Sequence, residues 1–241
     1  MIITTAVIKG GTGKTTTAAA LAQAAAADGK KVLAIDLDPQ ANLTFFIGAD
    51  QTQPGSYELL HGEDPAELIQ RSQGIDIIAG SPNLATERTT PASAMRLAEA
   101  LKPLKRYSLI VIDTPPQMGE LTYNALQAAT GLLIPLETDN SSLQGLYQIT
   151  DIAQQIRRNS NPKLNILGIV LTRYDSRPKL NRYLMETIAE KGSEIGAPLL
   201  MTIRPGIAIR EAQAMQQSLY EYAPESNPAK DYKTLYERLM K

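Results

Sequence analysis

Seven apolar runs rich in β-branched residues punctuate the chain, at 2–8, 31–37, 75–79, 108–112, 131–136, 164–171 and 198–203. Within these runs apolar residues follow one another instead of alternating with polar ones, the mark of strands buried on both faces. Stretches with helical spacing lie between them, at 14–28, 92–102, 119–129, 142–158, 179–191, 207–217 and 228–240. Strands alternating with helices predict an α/β chain, a mostly parallel twisted sheet with helices on both faces. Pro135, inside Leu132-Leu133-Ile134-Pro135-Leu136, lacks a ladder donor, so that strand is expected either to end there or to lie near a sheet edge. Residues 49–64 and 80–91 are rich in Gly, Pro, Ser, Thr and Gln and are expected to be surface loops. No stretch has the composition of an interdomain linker and no repeat is visible, so residues 1–241 are read as one domain.

The first apolar run leads directly into Lys9-Gly10-Gly11-Thr12-Gly13-Lys14-Thr15-Thr16-Thr17. Three glycines in four positions remove the Cβ atoms that would hold backbone N–H groups away from phosphate oxygens. The helix that follows points its positive end at the same place. Strand, glycine loop and helix in this order predict a P-loop NTPase fold. In the general form G-x-x-x-x-G-K-[ST], Lys14 reaches the β and γ phosphates and the Thr15 hydroxyl binds magnesium. The chain departs from that form at Ile8, where the first glycine would stand, and carries an extra lysine, Lys9, beside it.

Two carboxylate segments complete the candidate chemistry. Asp36-Leu37-Asp38-Pro39-Gln40-Ala41-Asn42-Leu43-Thr44 follows the second strand, and the carboxyl ends of parallel strands open onto one crevice. Asp38 is therefore read as the group that orients the attacking water, with capping of a helix starting near Gln40 as its alternative. For Asp36, a cap or a magnesium role exerted through water weighs as much as catalysis. In Leu109-Ile110-Val111-Ile112-Asp113-Thr114-Pro115-Pro116, four apolar residues deliver Asp113 to the metal side of the phosphates. Gln117-Met118-Gly119 then forms a loop suited to sensing the terminal phosphate.

Composition narrows the setting. The chain has no cysteine, which excludes disulfides and thiolate metal sites and fits a reducing cytosol. No apolar run approaches the roughly 20 residues of a membrane span, and the amino terminus enters a strand without a basic leader, so a soluble, unprocessed protein is expected. Net charge is −1, but residues 1–156 carry 10 Lys/Arg against 16 Asp/Glu and residues 157–241 carry 14 against 9. A basic carboxyl-terminal third on an acidic body suggests an anionic partner for that part, against the plain alternative of a solvated surface.

K-G-G-T-G-K-T-T-T, D-L-D-P-Q-A-N-L-T, V-I-D-T-P-P-Q-M-G-E-L-T-Y-N-A-L and the tail R-P-G-I-A-I-R-E-A together resemble the ParA/Soj partition ATPases, in order and over nearly the whole chain. The early lysine is that of the deviant P-loop of the ParA/MinD group. The resemblance is to short, Soj-like members without an amino-terminal DNA-reading domain. It implies a cytoplasmic, nucleoid-associated ATPase that uses ATP and Mg2+, forms a homodimer with both nucleotides at the interface, and binds DNA without sequence preference as that dimer. It also implies slow hydrolysis accelerated by a ParB-like adaptor, in the service of plasmid or chromosome segregation. Carried over by motif, Gly10, Gly11, Thr12, Gly13, Lys14, Thr15 and Thr16 hold phosphates, Thr15 and Asp113 serve magnesium, Lys9 acts across the dimer and Asp38 activates water. Thr172-Arg173-Tyr174-Asp175 resembles the element by which related GTPases grip guanine through an aspartate. Soj-like proteins carry a similar stretch and use ATP, so adenine is expected near Thr172 and Pro205, with solvation of a strand end as the alternative for Arg173 and Asp175.

Lys179, Arg182, Arg204, Arg210, Lys230 and Lys233 are the candidate DNA contacts, which would give affinity that falls steeply with salt. The loop Tyr220-Glu221-Tyr222-Ala223-Pro224-Glu225-Ser226-Asn227-Pro228, often basic in Soj-like proteins, departs from the pattern, and Glu225 repels phosphate. The rivals are a MinD-like membrane ATPase, using Tyr232, Leu235, Tyr236 and Leu239 as a lipid-facing stripe, and a ParA-like positioner of a non-DNA cargo such as a carboxysome. The stripe is expected to pack on its own domain instead, so no membrane partner is expected. Tyr220, Tyr222, Tyr232 and Tyr236 are read as fillers of core or surface, and His61 as a solvated loop residue.

Overall fold

The computed structural model describes residues 1–87, 93–139 and 141–241. Its strands are β1 (Ile2–Thr5), β2 (Val32–Asp36), β3 (Ile69–Ser72), β4 (Ile75–Ile78), β5 (Leu109–Asp113), β6 (Gly131–Leu136), β7 (Asn165–Leu171) and β8 (Leu199–Thr202). They form one sheet in the order β3-β4-β2-β5-β1-β6-β7-β8, parallel throughout except for the antiparallel pair β3 and β4. The helices are α1 (Lys14–Ala27), α2 (Asn42–Ile47), α3 (Ser56–Leu60), α4 (Pro65–Leu68), α5 (Arg96–Ala100), α6 (Glu120–Ala128), α7 (Ser142–Asn159), α8 (Lys179–Glu194), α9 (Ile207–Ala214), α10 (Leu219–Tyr222) and α11 (Asn227–Leu239).

Successive residues of the inner strands feed opposite faces, as pleating requires. Val32, Ala34, Leu109 and Val111 join a core built with α1, α2, α9, α10 and α11. Leu33, Ile35, Ile110 and Ile112 join the opposite core with α3, α5 and α6, and Leu132, Ile134 and Leu136 continue that face under α7 and α8. α1 lies between the sheet and α11, touching both. Ala18–Ala22 and Ala24–Ala25 are buried all round, and alanine lets neighbouring backbones come this close on every side.

The seven expected strands and seven expected helices are found, with ends that differ from the expected ones by up to four residues in either direction; position 92, at the start of one expected helix, lies outside the described residues. Three expectations need correction. The first run ends as a strand at Thr5, because Ala6–Ile8 leave the sheet to begin the glycine loop. The stretch 49–64 holds α3, with His61 as its C-cap, and α4 and β3 follow it. The stretch 80–91 contains a 3-10 turn over Pro82–Thr86, its positions 88–91 lying outside the described residues.

Pro135 sits in an interior strand, so of the two expectations it is the strand end that holds. Leu136 O accepts from Thr172 N on the β7 side and Leu133 O accepts from Ala6 N on the β1 side. By alternation Pro135 faces β1, whose pairing with β6 has already stopped at Thr5. Its missing N–H therefore costs no ladder bond.

Candidate active site

β1, β2 and β5 end level with one another, Thr5 opposite Asp113 and Asp113 opposite Asp36. The loop after β1 rises over those ends and turns into α1 through Gly11 and Gly13, at φ 76° and 88°. A side chain at Gly13 would be strained by that backbone and would also meet Thr172 Cγ2 at 3.1 Å. Gly10, Gly11, Gly13, Lys14, Thr15 and Thr16 line a cavity of about 410 Å³ that is closed on its far side by Asp38, Gln40, Asn42 and Pro116. The motif residues from three distant segments thus share one crevice.

Lys14 is buried, and its Nζ donates to Lys9 O at 2.7 Å, across the turn of its own loop. Burial lowers its pKa, against the attraction of Asp113 and Asp38. Asp113 is wholly buried; Thr5 Oγ1 donates to its Oδ1 at 3.3 Å, while its Oδ2 has no partner. Burial pushes the Asp113 carboxyl up, and the neighbouring Asp36 pushes it further. An unpartnered carboxylate oxygen beside the phosphate cradle and the Thr15 hydroxyl is what a magnesium site requires of the protein. Among the described residues no group of three or more His, Cys, Asp or Glu could hold a metal ion. The donor set therefore fits an ion held jointly with phosphate oxygens and water, magnesium's usual arrangement.

Asp36 is also fully buried, and burial raises its pKa against the hydrogen bonds it accepts from Thr44. Its Oδ2 accepts from Thr44 N and Thr44 Oγ1, both at 2.8 Å, and its Oδ1 accepts from Asp38 N at 3.0 Å. Thr44 is the third residue of α2, so Asp36 caps that helix from the end of the neighbouring strand. It also fixes the backbone of Asp38. Gly80 closes over this group: Gly80 N donates to Thr44 Oγ1 at 2.8 Å, and a Cβ there would stand 2.9 Å from Asp36 Cγ. Asp38 itself caps no helix. Its Oδ1 accepts from Gln40 N at 3.0 Å, and the side chain lines both the phosphate cavity and an adjoining one of about 380 Å³ walled by Pro116, Met118 and Glu120.

Lys9 stands apart. It does not line the phosphate cavity; its ammonium pairs with Asp139 on the loop after β6. Burial alone would raise the Asp139 carboxyl, but hydrogen bonds from Lys9, Ser141 and Ser142 hold it below the usual carboxylate range. Beyond Gly13, a second cavity of about 580 Å³ is lined by Thr172, Ile203, Pro205, Gly206, Ile207 and Tyr232 among others, mostly apolar and suited to a flat base. Thr172 Oγ1 donates to Thr12 O at 2.8 Å, which pins the end of β7 to the glycine loop. Asp175 is turned away from this cavity. Arg177 grips it through Nε at 2.9 and 3.0 Å and holds its carboxyl down at about 2.

Of the basic residues, Arg204 is committed to a two-pronged pair with Asp231, at 3.0 and 2.7 Å, and Lys230 pairs with Glu225 at 2.9 Å. Arg210 lines the 580 Å³ cavity and is exposed. Lys179, Arg182 and Lys233 are exposed on α8 and α11, which cover opposite faces of the sheet beside the edge strand β8. Sequence reasoning missed the residues that tie the carboxyl-terminal helices to the loop. Gln213 Nε2 donates to Thr16 Oγ1 at 3.2 Å, and Tyr232 OH lies 3.2 Å from Thr17 Oγ1. The only signal was the stripe Tyr232, Leu235, Tyr236, which is buried against α1 as expected.

The sequence model of a family described as an AAA domain matches residues 1–166. The chromosome-partitioning ATPase Soj of Thermus thermophilus is 35% identical over 234 residues, 96% of this chain and 92% of that protein. The chain belongs to the ParA/Soj family of partition ATPases. Another family member, the chromosome partitioning protein ParA of Caulobacter vibrioides, is 36% identical over 192 residues, 75% of this chain and 72% of its own. Among solved structures, the ATP complex of an aspartate-to-alanine variant of Cyanothece McdA superposes with a TM-score of 0.87 at 25% identity, covering 98% of this chain and 95% of that one. Membership accounts for the fold; the roles of individual side chains rest on the geometry. No helix among the described residues is long and apolar enough to cross a membrane.

Proposed function

We propose that this chain is an ATP-dependent dimerising ATPase that positions or segregates DNA in the cytoplasm, on the nucleoid, with a ParB-like adaptor that stimulates hydrolysis. The observation that carries the dimer reading is the placement of Lys9. A lysine in a phosphate loop that stays out of its own phosphate cavity, held instead by a surface carboxylate, is available to the nucleotide of a facing subunit. The backbone N–H groups of Gly10–Thr16 and the Lys14 ammonium hold the phosphates. Thr15 and Asp113 would hold Mg2+, while Asp36, bound by Thr44 and Asp38 N, serves to fix the loop that carries Asp38. The metal, when bound, supplies charge neutralisation at the β and γ phosphates. Asp38, fixed by Asp36 and facing the cavity, orients the attacking water. Thr172 and Pro205 border the adenine, and the engagement of Asp175 by Arg177 removes the carboxylate that guanine would need.

The basic residues bracketing the β8 edge form the DNA face. With Arg204 and Lys230 internally paired, Lys179, Arg182 and Lys233 carry its free charge, and Arg210 adds a further exposed cation at the mouth of the cavity beyond Gly13. Contacts of this kind give little sequence preference, and doubling them by dimerisation raises affinity steeply. The burial of Tyr232, Leu235 and Tyr236 argues against a lipid-facing helix. An electrophoretic shift on random-sequence DNA tests the reading: ATP should support binding, and ADP or GTP should not. Equal retardation under all three conditions, or none with ATP, would refute it.

A further inference from the structure

The geometry points to Arg173 as a clamp on the nucleotide where its base-bearing half meets its phosphates, with Glu137 as the competitor that holds the clamp when no nucleotide is present. Arg173 stands two residues past β7, after Thr172, and adopts a left-handed backbone, φ 52°, which few non-glycine residues do without a compensating contact. The turn swings its guanidinium back over the glycine loop. There Nη2 donates to Gly11 O and pairs with Glu137, the residue just past β6.

Three residues line both the base cavity and the phosphate cavity: Gly13, Thr16 and Arg173. Arg173 is the only charged one. A nucleotide that spans the two cavities passes this rim with its α-phosphate and ribose, so a guanidinium here meets the α and β phosphate oxygens. Among the described residues, the phosphate cavity has no other cationic side chain besides Lys14. Arg173 also acts at a distance on the base side, where its charge works against the burial that raises the Tyr232 hydroxyl.

The present partner is easily given up. The Arg173 and Glu137 side chains are 59% and 31% exposed, and an ion pair in such a setting is weak, whereas a guanidinium on phosphate makes paired charge-assisted bonds. Binding is then an exchange in which the guanidinium leaves one carboxylate oxygen for phosphate oxygens while keeping its hold on the loop. Glu137 on this account lowers nucleotide affinity, the reverse of what a purely structural anchor would do.

The inference rests on the reading of the cradle as an ATP site. Equilibrium binding of a fluorescent ATP analogue, ADP and adenosine, with Mg2+, to the wild-type chain, Arg173→Ala and Glu137→Gln tests both. Arg173→Ala should weaken ATP and ADP about tenfold or more and leave adenosine within about twofold. Glu137→Gln should tighten ATP about two- to fivefold, and the double variant should match Arg173→Ala. If Arg173→Ala binds ATP like the wild type, or if Glu137→Gln weakens it, the clamp is wrong although the ATP site stands. If the wild-type chain itself binds no ATP, both readings fall. Unfolding curves for each variant separate lost affinity from lost fold.

Discussion

Replacing Thr44 with valine removes one buried hydroxyl and nearly keeps the side-chain shape. Thr44 is 1% exposed, and its Oγ1 does two jobs: it donates to Asp36 Oδ2 and accepts from Gly80 N, each at 2.8 Å. The first is a bond to a carboxylate, worth about 1.5–3 kcal/mol, and the second leaves a buried N–H without a partner, at about 1–3 kcal/mol. Some overlap is expected because the two share one atom, so the loss should be about 3 kcal/mol. For a chain of this length that lowers the melting temperature by about 6–12 °C. Thr44→Ser keeps both bonds and should lose only about 1 kcal/mol for the missing methyl. Urea unfolding of the three proteins measures this. Asp36 also positions Asp38 through its backbone N–H, so steady-state ATPase kinetics should show kcat falling about tenfold in Thr44→Val with KM nearly unchanged. A valine variant within about 1 kcal/mol of wild type, with unchanged kcat, would refute the claim that this hydrogen-bond group sets the catalytic loop.

Gly80→Ala puts a methyl group 2.9 Å from Asp36 Cγ and 3.0 Å from Asp38 O, and should cost about 1–3 kcal/mol in urea unfolding while slowing hydrolysis; an unperturbed variant would show that the loop can yield there. Tyr232→Phe, which removes only the hydroxyl 3.2 Å from Thr17, should cost about 1 kcal/mol by thermal unfolding, and no loss would mean that this hydroxyl adds nothing to the packing of α11 on α1. Asp38→Ala should retain ATP binding and dimers while losing turnover, read by phosphate release; hydrolysis at the wild-type rate would assign the water to another group. Lys179→Ala with Arg182→Ala should flatten the salt dependence of DNA binding by about two phosphate contacts, and an unchanged slope would move the DNA face elsewhere.

The parallel core was legible because burial on both faces leaves an unbroken apolar run, as in Leu109–Ile112 and Leu132–Leu136. β3 was not, since Ile69-Gln70-Arg71-Ser72 is a short, half-exposed antiparallel edge with no reason to be apolar. α3 was hidden in a Gly- and Pro-rich stretch, where its start depends on Gly55 N bonding Glu58 Oε2 rather than on any apolar period. In the site, the glycine loop and the segments that carry Asp36, Asp38 and Asp113 could be picked out from local spacing, and the fold brings them to one end of the sheet. Their partners could not. Asp139 for Lys9, Glu137 and Gly11 for Arg173, and Thr44 for Asp36 are joined by the fold across as many as 162 positions, and nothing in the spacing announces them. The basic third shows the opposite limit: its charge was visible, but that Asp231 and Glu225 take up Arg204 and Lys230 was not.

Light scattering of the eluted species, with and without ATP, for the wild-type chain and Lys9→Ala tests the central claim most directly. The wild-type chain should pass from monomer to dimer with ATP, and Lys9→Ala should bind the nucleotide yet remain monomeric. ATP-dependent dimers of Lys9→Ala as abundant as those of the wild type would contradict the account, because the lysine held by Asp139 would then have no task in a second subunit.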